Sequence, residues 1–223
     1  MASEGGDDSG WSQLHGGVRP SPVVRGWLRM VRLLASGPVT RIPPDVLSVA
    51  GVLALAAAWG AVVVGWPMSV LPLVLLAGVL DGLDGAVALR TGRARPLGAL
   101  VDSVADRVGD VLLGAVLVAL GGPLPGVLAA VALVLLLEYV RARAQAVGMP
   151  GVGAVTVAER PTRLIVVALA AGGVAILPGG VPPVGWSWAG MFTIVWIAVG
   201  VVGLAQLLWG VRRSMPARFP PDR

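Results

Sequence analysis

The chain has 223 residues, 56% of them hydrophobic and only 13% charged, with 17 basic residues, all arginine, against 12 acidic ones. Soluble domains carry about a quarter charged residues, so a water-soluble globule is excluded. The absence of cysteine and the single histidine, His15 in a polar stretch, exclude disulfide frameworks, thiolate chemistry and histidine-zinc catalysis.

Residues 1–20 lack the basic start and apolar core of a secretory signal and are expected to be a disordered tail. From 21 to 36, Arg25, Arg29 and Arg32 recur on one side of a helix, with Val23, Trp27, Met30, Val31 and Leu34 opposite. That pattern predicts an amphipathic helix lying on the membrane surface, or one packed on the protein's own loops. Residues 46–80, 111–137 and 164–211 then carry no charge at all, and each run exceeds the roughly 20 apolar residues that cross a bilayer. Gly65-Trp66-Pro67, Gly121-Gly122-Pro123 and the Pro/Gly cluster at 178–183 divide them. The predicted fold is an all-α membrane domain over 41–213, with six spans near 45–65, 67–89, 98–120, 123–146, 160–178 and 186–211, followed by a tail over 214–223. Arginines flank one end of these spans only, while Trp66, Trp186 and Trp188 mark the other. The positive-inside rule therefore places both termini and the arginine-bearing loops in the cytoplasm, and a plasma-membrane location is expected.

Chemistry concentrates between Asp81 and Asp106. Span two ends in Asp81 and Asp84, three residues apart, and span three begins with Asp102 and Asp106, four apart, so each pair shares a face of its helix. Four carboxylates in a partly dry site repel one another unless cations intervene, and an all-oxygen set suits Mg²⁺ or Mn²⁺, with two ions expected. Gly85, Ala88 and Gly98 interleave with the aspartates; small residues there admit a bulky ligand, or serve plain helix packing. Arg107 and Asp110 follow on the same helix, and Asp110 is expected to pair with Arg107 or another helix, or to orient a metal ligand.

The spacing Asp81-x2-Asp84-Gly85-x2-Ala88, then Gly98-x3-Asp102-x3-Asp106, resembles the signature of the CDP-alcohol phosphotransferase family, with Leu89 where the family has arginine and Arg90 beside it. The resemblance implies a Mg²⁺- or Mn²⁺-dependent enzyme of phospholipid synthesis. The hydroxyl of an alcohol attacks the β-phosphorus of CDP-diacylglycerol and CMP leaves. It implies that Asp81, Asp84, Asp102 and Asp106 hold the metal ions and that Asp106 is the general base. Gly85, Ala88, Gly98 and Arg90 would then meet the donor. A homodimer surrounded by membrane lipid is expected, and no nucleic acid partner.

Two further runs, Tyr139 to Ala144 and Glu159 to Leu164, place Arg141, Arg160 and Arg163 on the same surface. Arginine forks bind phosphate bidentately, so a phosphorylated acceptor is inferred, although topogenic charge alone accounts for them too. These runs resemble those of the family's actinobacterial phosphatidylinositol-phosphate synthases, which implies inositol phosphate as acceptor. Glycerol 3-phosphate is the alternative within the family, and a cation- or proton-coupled transporter the alternative outside it.

Overall fold

In the computed structural model each long helix begins and ends where the sequence supplies a start and a stop. The described residues are 30–215 apart from 32, 152, 153 and 183. The expected tail over 1–20 lies outside them, as do most of the amphipathic segment over 21–36 and residues 216–223.

Six long helices occur among the described residues: α1 (Pro44–Val63), α2 (Val70–Arg90), α3 (Pro96–Ala119), α4 (Leu124–Ala146), α5 (Arg160–Ile176) and α6 (Trp188–Ser214). Proline lies in the first turn of α1, α3, α4 and α5, where its missing N–H costs nothing. Helix α6 is capped instead by the Ser187 hydroxyl, which accepts from the Gly190 N–H at 3.0 Å. Gly92 and Gly121, with φ of 65° and 96°, turn the chain after α2 and α3 in a conformation that side chains resist. No helix end departs from its predicted position by more than three residues. Two ends shift by three: α6 runs on to Ser214, and α2 starts late because Pro67–Ser69 forms a single 3₁₀ turn before the α-helix begins.

No strand forms among the described residues beyond one isolated bridge, Val181 to Trp186. The core lies between all six long helices and is filled by Leu55, Val74, Leu113, Leu117, Val134, Val167 and Trp196. Glycines let α6 approach closely: a Cβ on Gly200 would stand 3.1 Å from Leu133 of α4.

Among the described residues four segments are long and apolar enough to cross a membrane, Pro44–Val63, Pro67–Arg90, Leu124–Ala146 and Trp188–Ser214. Helix α5 has only 17 residues, and α3 carries Asp102, Asp106, Arg107 and Asp110. On α3 the charges are sorted by face. Leu100, Val104, Val108 and Val111 are exposed at helical spacing, whereas Asp110, Leu113 and Leu117 face inward and are fully buried. Of the expected surface helix, Met30, Val31, Leu33 and Leu34 are helical, and Val31 and Ala35 are buried against Leu47, Leu83 and Val87 at the ends of α1 and α2.

Candidate active site

The five-residue connection from Thr91 to Arg95 returns the chain into α3, and α2 and α3 both pack on α1 and α5, so the two aspartate pairs face one another across the site. One carboxylate oxygen from each of Asp81, Asp102 and Asp106 lies within 4.8 Å of the others, and all three residues are half-buried. Asp84 stands beside this trio and is more deeply buried. Its Oδ2 accepts from the Ser48 hydroxyl of α1 at 2.5 Å, and its Oδ1 from the Gly85 N–H at 2.5 Å. Asp84 and Asp102 together border a cleft of about 220 Å³ that Gly85, Ala88, Leu89, Gly98 and the Arg93–Arg95 connection also line.

The small residues occur where the cleft needs them. A Cβ on Gly85 would meet nothing within 4 Å, whereas one on Gly98 would touch Asp45 Oδ1 at 3.5 Å and the Arg95 stem at 3.4 Å. Arg95 is held by Asp45 at 2.5 Å. Leu89 borders the cleft and is 75% exposed; Arg90, at the exposed end of α2, is not among the lining residues. Sequence reasoning missed Ser48, Asp45, Arg93 and Arg95. Ser48 precedes Asp84 by 36 residues, and only the packing of α1 on α2 brings the two together.

Helix α5 delivers positive charge to the trio from its first residue. Arg160 Nε lies 2.9 Å from Asp81 Oδ1, and its Nη1 pairs with Asp106 Oδ1. The guanidinium sits over Gly109 of α3, where a Cβ would come within 3.1 Å of Nη2 and 3.3 Å of Nη1. Behind it the pairing continues. Arg107 contacts Asp106 at 3.2 Å, Glu138 at 3.4 Å and Asp110 at 3.7 Å. Arg163 pairs with Asp110 at 2.5 Å and Glu138 at 3.5 Å, both members of the closer pair being essentially inaccessible. Arg141 joins Glu138 at 3.3 Å to Glu159 at 2.8 Å. The three expected arginines therefore differ in position: Arg160 is on the aspartates, Arg141 bridges two glutamates, and Arg163 is buried against Asp110. Asp110 combines two of its expected partnerships, with Arg107 and with another helix.

The loop before α5 fixes where Arg160 starts. Glu159 accepts from the Thr156 N–H at 2.9 Å and hydroxyl at 3.0 Å, and Gln206 of α6 accepts from the Val157 N–H at 2.9 Å. Burial pushes the Glu159 carboxyl up, but the Arg141 guanidinium and the Thr156 donors outweigh it and hold the group below its ordinary range.

The ion pairs form one network of five carboxylates and four guanidiniums from Asp81 to Glu159. Asp84 and Asp102 add two carboxylates at its cleft side without an arginine of their own in that network, leaving an excess of three negative charges. A divalent cation fits such a place. The donors are all hard oxygens, three of them already converge, and the uncompensated charge lies at the cleft.

Comparison with known proteins agrees with this geometry. A family model described as CDP-alcohol phosphatidyltransferase matches residues 41–204. The phosphatidylinositol phosphate synthase of Mycolicibacterium smegmatis is 32% identical over 199 residues, covering 80% of this chain and 82% of that protein. The archaetidylinositol phosphate synthase of Aeropyrum pernix is 38% identical over 113 residues, 50% of this chain and 58% of that one. Among solved structures, the Mycobacterium tuberculosis phosphatidylinositol phosphate synthase in complex with manganese and citrate superposes with a TM-score of 0.63 at 27% identity, over 91% of both chains. The same enzyme with CDP-DAG bound gives 0.61 at 25% identity, over 82% of this chain and 92% of that one.

Proposed function

Because the chain belongs to the CDP-alcohol phosphatidyltransferase family, we propose that it transfers the phosphatidyl group of CDP-diacylglycerol to the hydroxyl of inositol phosphate and releases CMP. The observation that carries this reading is the convergence of Asp81, Asp102 and Asp106 beside a cleft floored by Gly85 and Ala88. Relatives named for an inositol phosphate product support the choice of acceptor, as do the arginines gathered behind the aspartates.

Asp81, Asp84, Asp102 and Asp106 would hold Mg²⁺ or Mn²⁺, which when bound offsets charge on the diphosphate and on the departing CMP. The protein's own groups orient the partners. Gly85, Ala88 and Gly98 leave space for the cytidine, and Arg93 and Arg95 bring positive charge to the same cleft, with Arg90 at its approach. Arg160 and Arg141 face the acceptor's phosphate, and Arg163, held by Asp110, keeps α5 in register. Asp106 takes the acceptor hydroxyl's proton on a carboxylate oxygen as that hydroxyl oxygen bonds to the β-phosphorus. The anhydride bond breaks, and CMP departs with its electron pair.

The domain over 41–213 is read as six spans. The outward face of α3 is apolar despite its charges, and α5 buries Val166, Val167, Ala168, Ala170 and Ala171 while turning apolar Leu169 outward, which lets both cross with their neighbours. Arginines at one end of the bundle support a cytoplasmic active site and termini in the plasma membrane, with membrane lipid around the helices and a homodimer as the working unit. Purified protein assayed for CMP release from CDP-diacylglycerol against inositol phosphate and glycerol 3-phosphate tests the reading. The expected result is turnover with inositol phosphate that Asp84→Asn and Asp106→Asn each abolish. Wild-type rates in either variant would overturn the site.

A further inference from the structure

Arg160 is the guanidinium, among the described residues, that touches carboxylates of both α2 and α3. We propose that Arg160 is an internal counter-ion of the aspartate trio and competes with the divalent cation for Asp81 and Asp106. The inference rests on the metal reading of those aspartates given above and adds a rival to it.

The geometry argues for competition on three counts. A cation bonded to carboxylate oxygens at about 2.0–2.1 Å needs the space between Asp81 and Asp106 that Arg160 bridges, since Nε stands 2.9 Å from the first and Nη1 against the second. Two like charges so close repel strongly. Second, Arg160 Nε and Nη1 are buried yet make no hydrogen bond of proper geometry among the described residues. They satisfy charge without direction, the weaker and more displaceable form of contact. Third, the seat is built for the guanidinium: Gly109 leaves a space that a Cβ would fill to within 3.1–3.3 Å of both terminal nitrogens. Arg160 is also the first residue of α5, after a loop anchored by Glu159 and Gln206. Its side chain can swing off the aspartates on its own rotatable bonds while the backbone stays fixed.

The probe is Mn²⁺ alone, with free Mn²⁺ read by electron paramagnetic resonance during titration of the purified full chain in detergent. Arg160→Gln is expected to bind Mn²⁺ about tenfold more tightly than wild type, the size of one lost charge-assisted contact. Gly109→Ala keeps every charge and crowds the seat, the other neighbour of its Cβ being the flexible end of Leu55 at 3.2 Å; it is expected to tighten binding about threefold, part of that same effect. Unchanged or weaker Mn²⁺ binding in Gly109→Ala overturns the proposal. Tightening in Arg160→Gln alone does so too, because it assigns the effect to net charge. Should Arg160→Gln fail to fold, Gly109→Ala still decides. Asp102→Asn separates the two layers: Mn²⁺ binding that this change leaves intact refutes the metal reading itself, whatever Arg160 does.

Discussion

The Asp110–Arg163 pair gives the sharpest stability prediction. Its members are 0% and 1% exposed and meet at 2.5 Å between α3 and α5, so solvent screening does not weaken their attraction. Asp110→Asn leaves Arg163 with Glu138 at 3.5 Å and removes the 3.7 Å contact to Arg107. Breaking a buried pair by neutralising one member costs about 3–5 kcal/mol, because the surviving charge stays desolvated. In a chain of this length each kcal/mol moves the melting temperature by about 2–4 °C, so Asp110→Asn should melt roughly 6–20 °C below wild type. The assay is thermal unfolding of the detergent-solubilised protein followed by tryptophan fluorescence. Asp110→Leu combined with Arg163→Met replaces both charges by apolar side chains. It should recover most of the loss, since an apolar replacement of a buried pair is often neutral. A melting temperature for Asp110→Asn within about 2 °C of wild type, below what one kcal/mol produces, refutes the reasoning. So does a double variant no better than the single.

Other outcomes are equally definite. Ala88→Phe projects a ring into the 220 Å³ cleft and should lower CMP release at least tenfold, about 1.4 kcal/mol of lost transition-state stabilisation, with Mn²⁺ affinity unchanged; equal loss of both would place Ala88 in the metal site. Glu159 titrates below its ordinary value of 4.5 in the folded protein, so its stabilisation is full above that value and disappears as pH falls through the lower folded value. Glu159→Gln should therefore be less stable than wild type at neutral pH and converge with it in acid, and a gap that widens in acid contradicts the assignment. The natural absence of cysteine makes single-cysteine labelling clean: a cysteine replacing exposed Gly179 should react with an impermeant maleimide in intact cells, and one replacing exposed Arg143 only after permeabilisation.

What the sequence made legible follows from what is local. Helix ends were readable because Pro44, Pro96, Pro123 and Pro161 start helices and Gly92 and Gly121 stop them by their own backbone limits. The aspartate trio was readable because the i, i+3 and i, i+4 spacings and one short connection fix relative position over 26 residues. Contacts between distant helices carry no such periodicity. Ser48 beside Asp84, and Gly109 beneath Arg160, depend on how α1 and α5 settle against α2 and α3. The arginines of α4 and α5 looked equivalent as a row of charge, and only packing separates the buried Arg163 from Arg160 on the aspartates.

In the proposed six-span arrangement the two faces of α3 have a consequence for how the chain enters the bilayer. Leu100, Val104, Val108 and Val111 offer one side that lipid solvates, while Asp102, Asp106 and Asp110 form a stripe that hydrocarbon does not. A helix so divided is unstable alone in lipid and becomes stable only with its acidic stripe already covered. Arg107 of α3 itself covers part of the stripe, and the rest of its counter-charge comes from Arg160 and Arg163, on a helix made two hairpin arms later. Stable placement of α3 should therefore wait, at the translocon or in a hydrated intermediate, until α5 has been synthesised. Truncation before residue 160 should leave α1, α2 and α4 able to insert but α3 with its acidic stripe only partly covered, and quality-control proteases should remove that chain even though every residue of the aspartate motif is present.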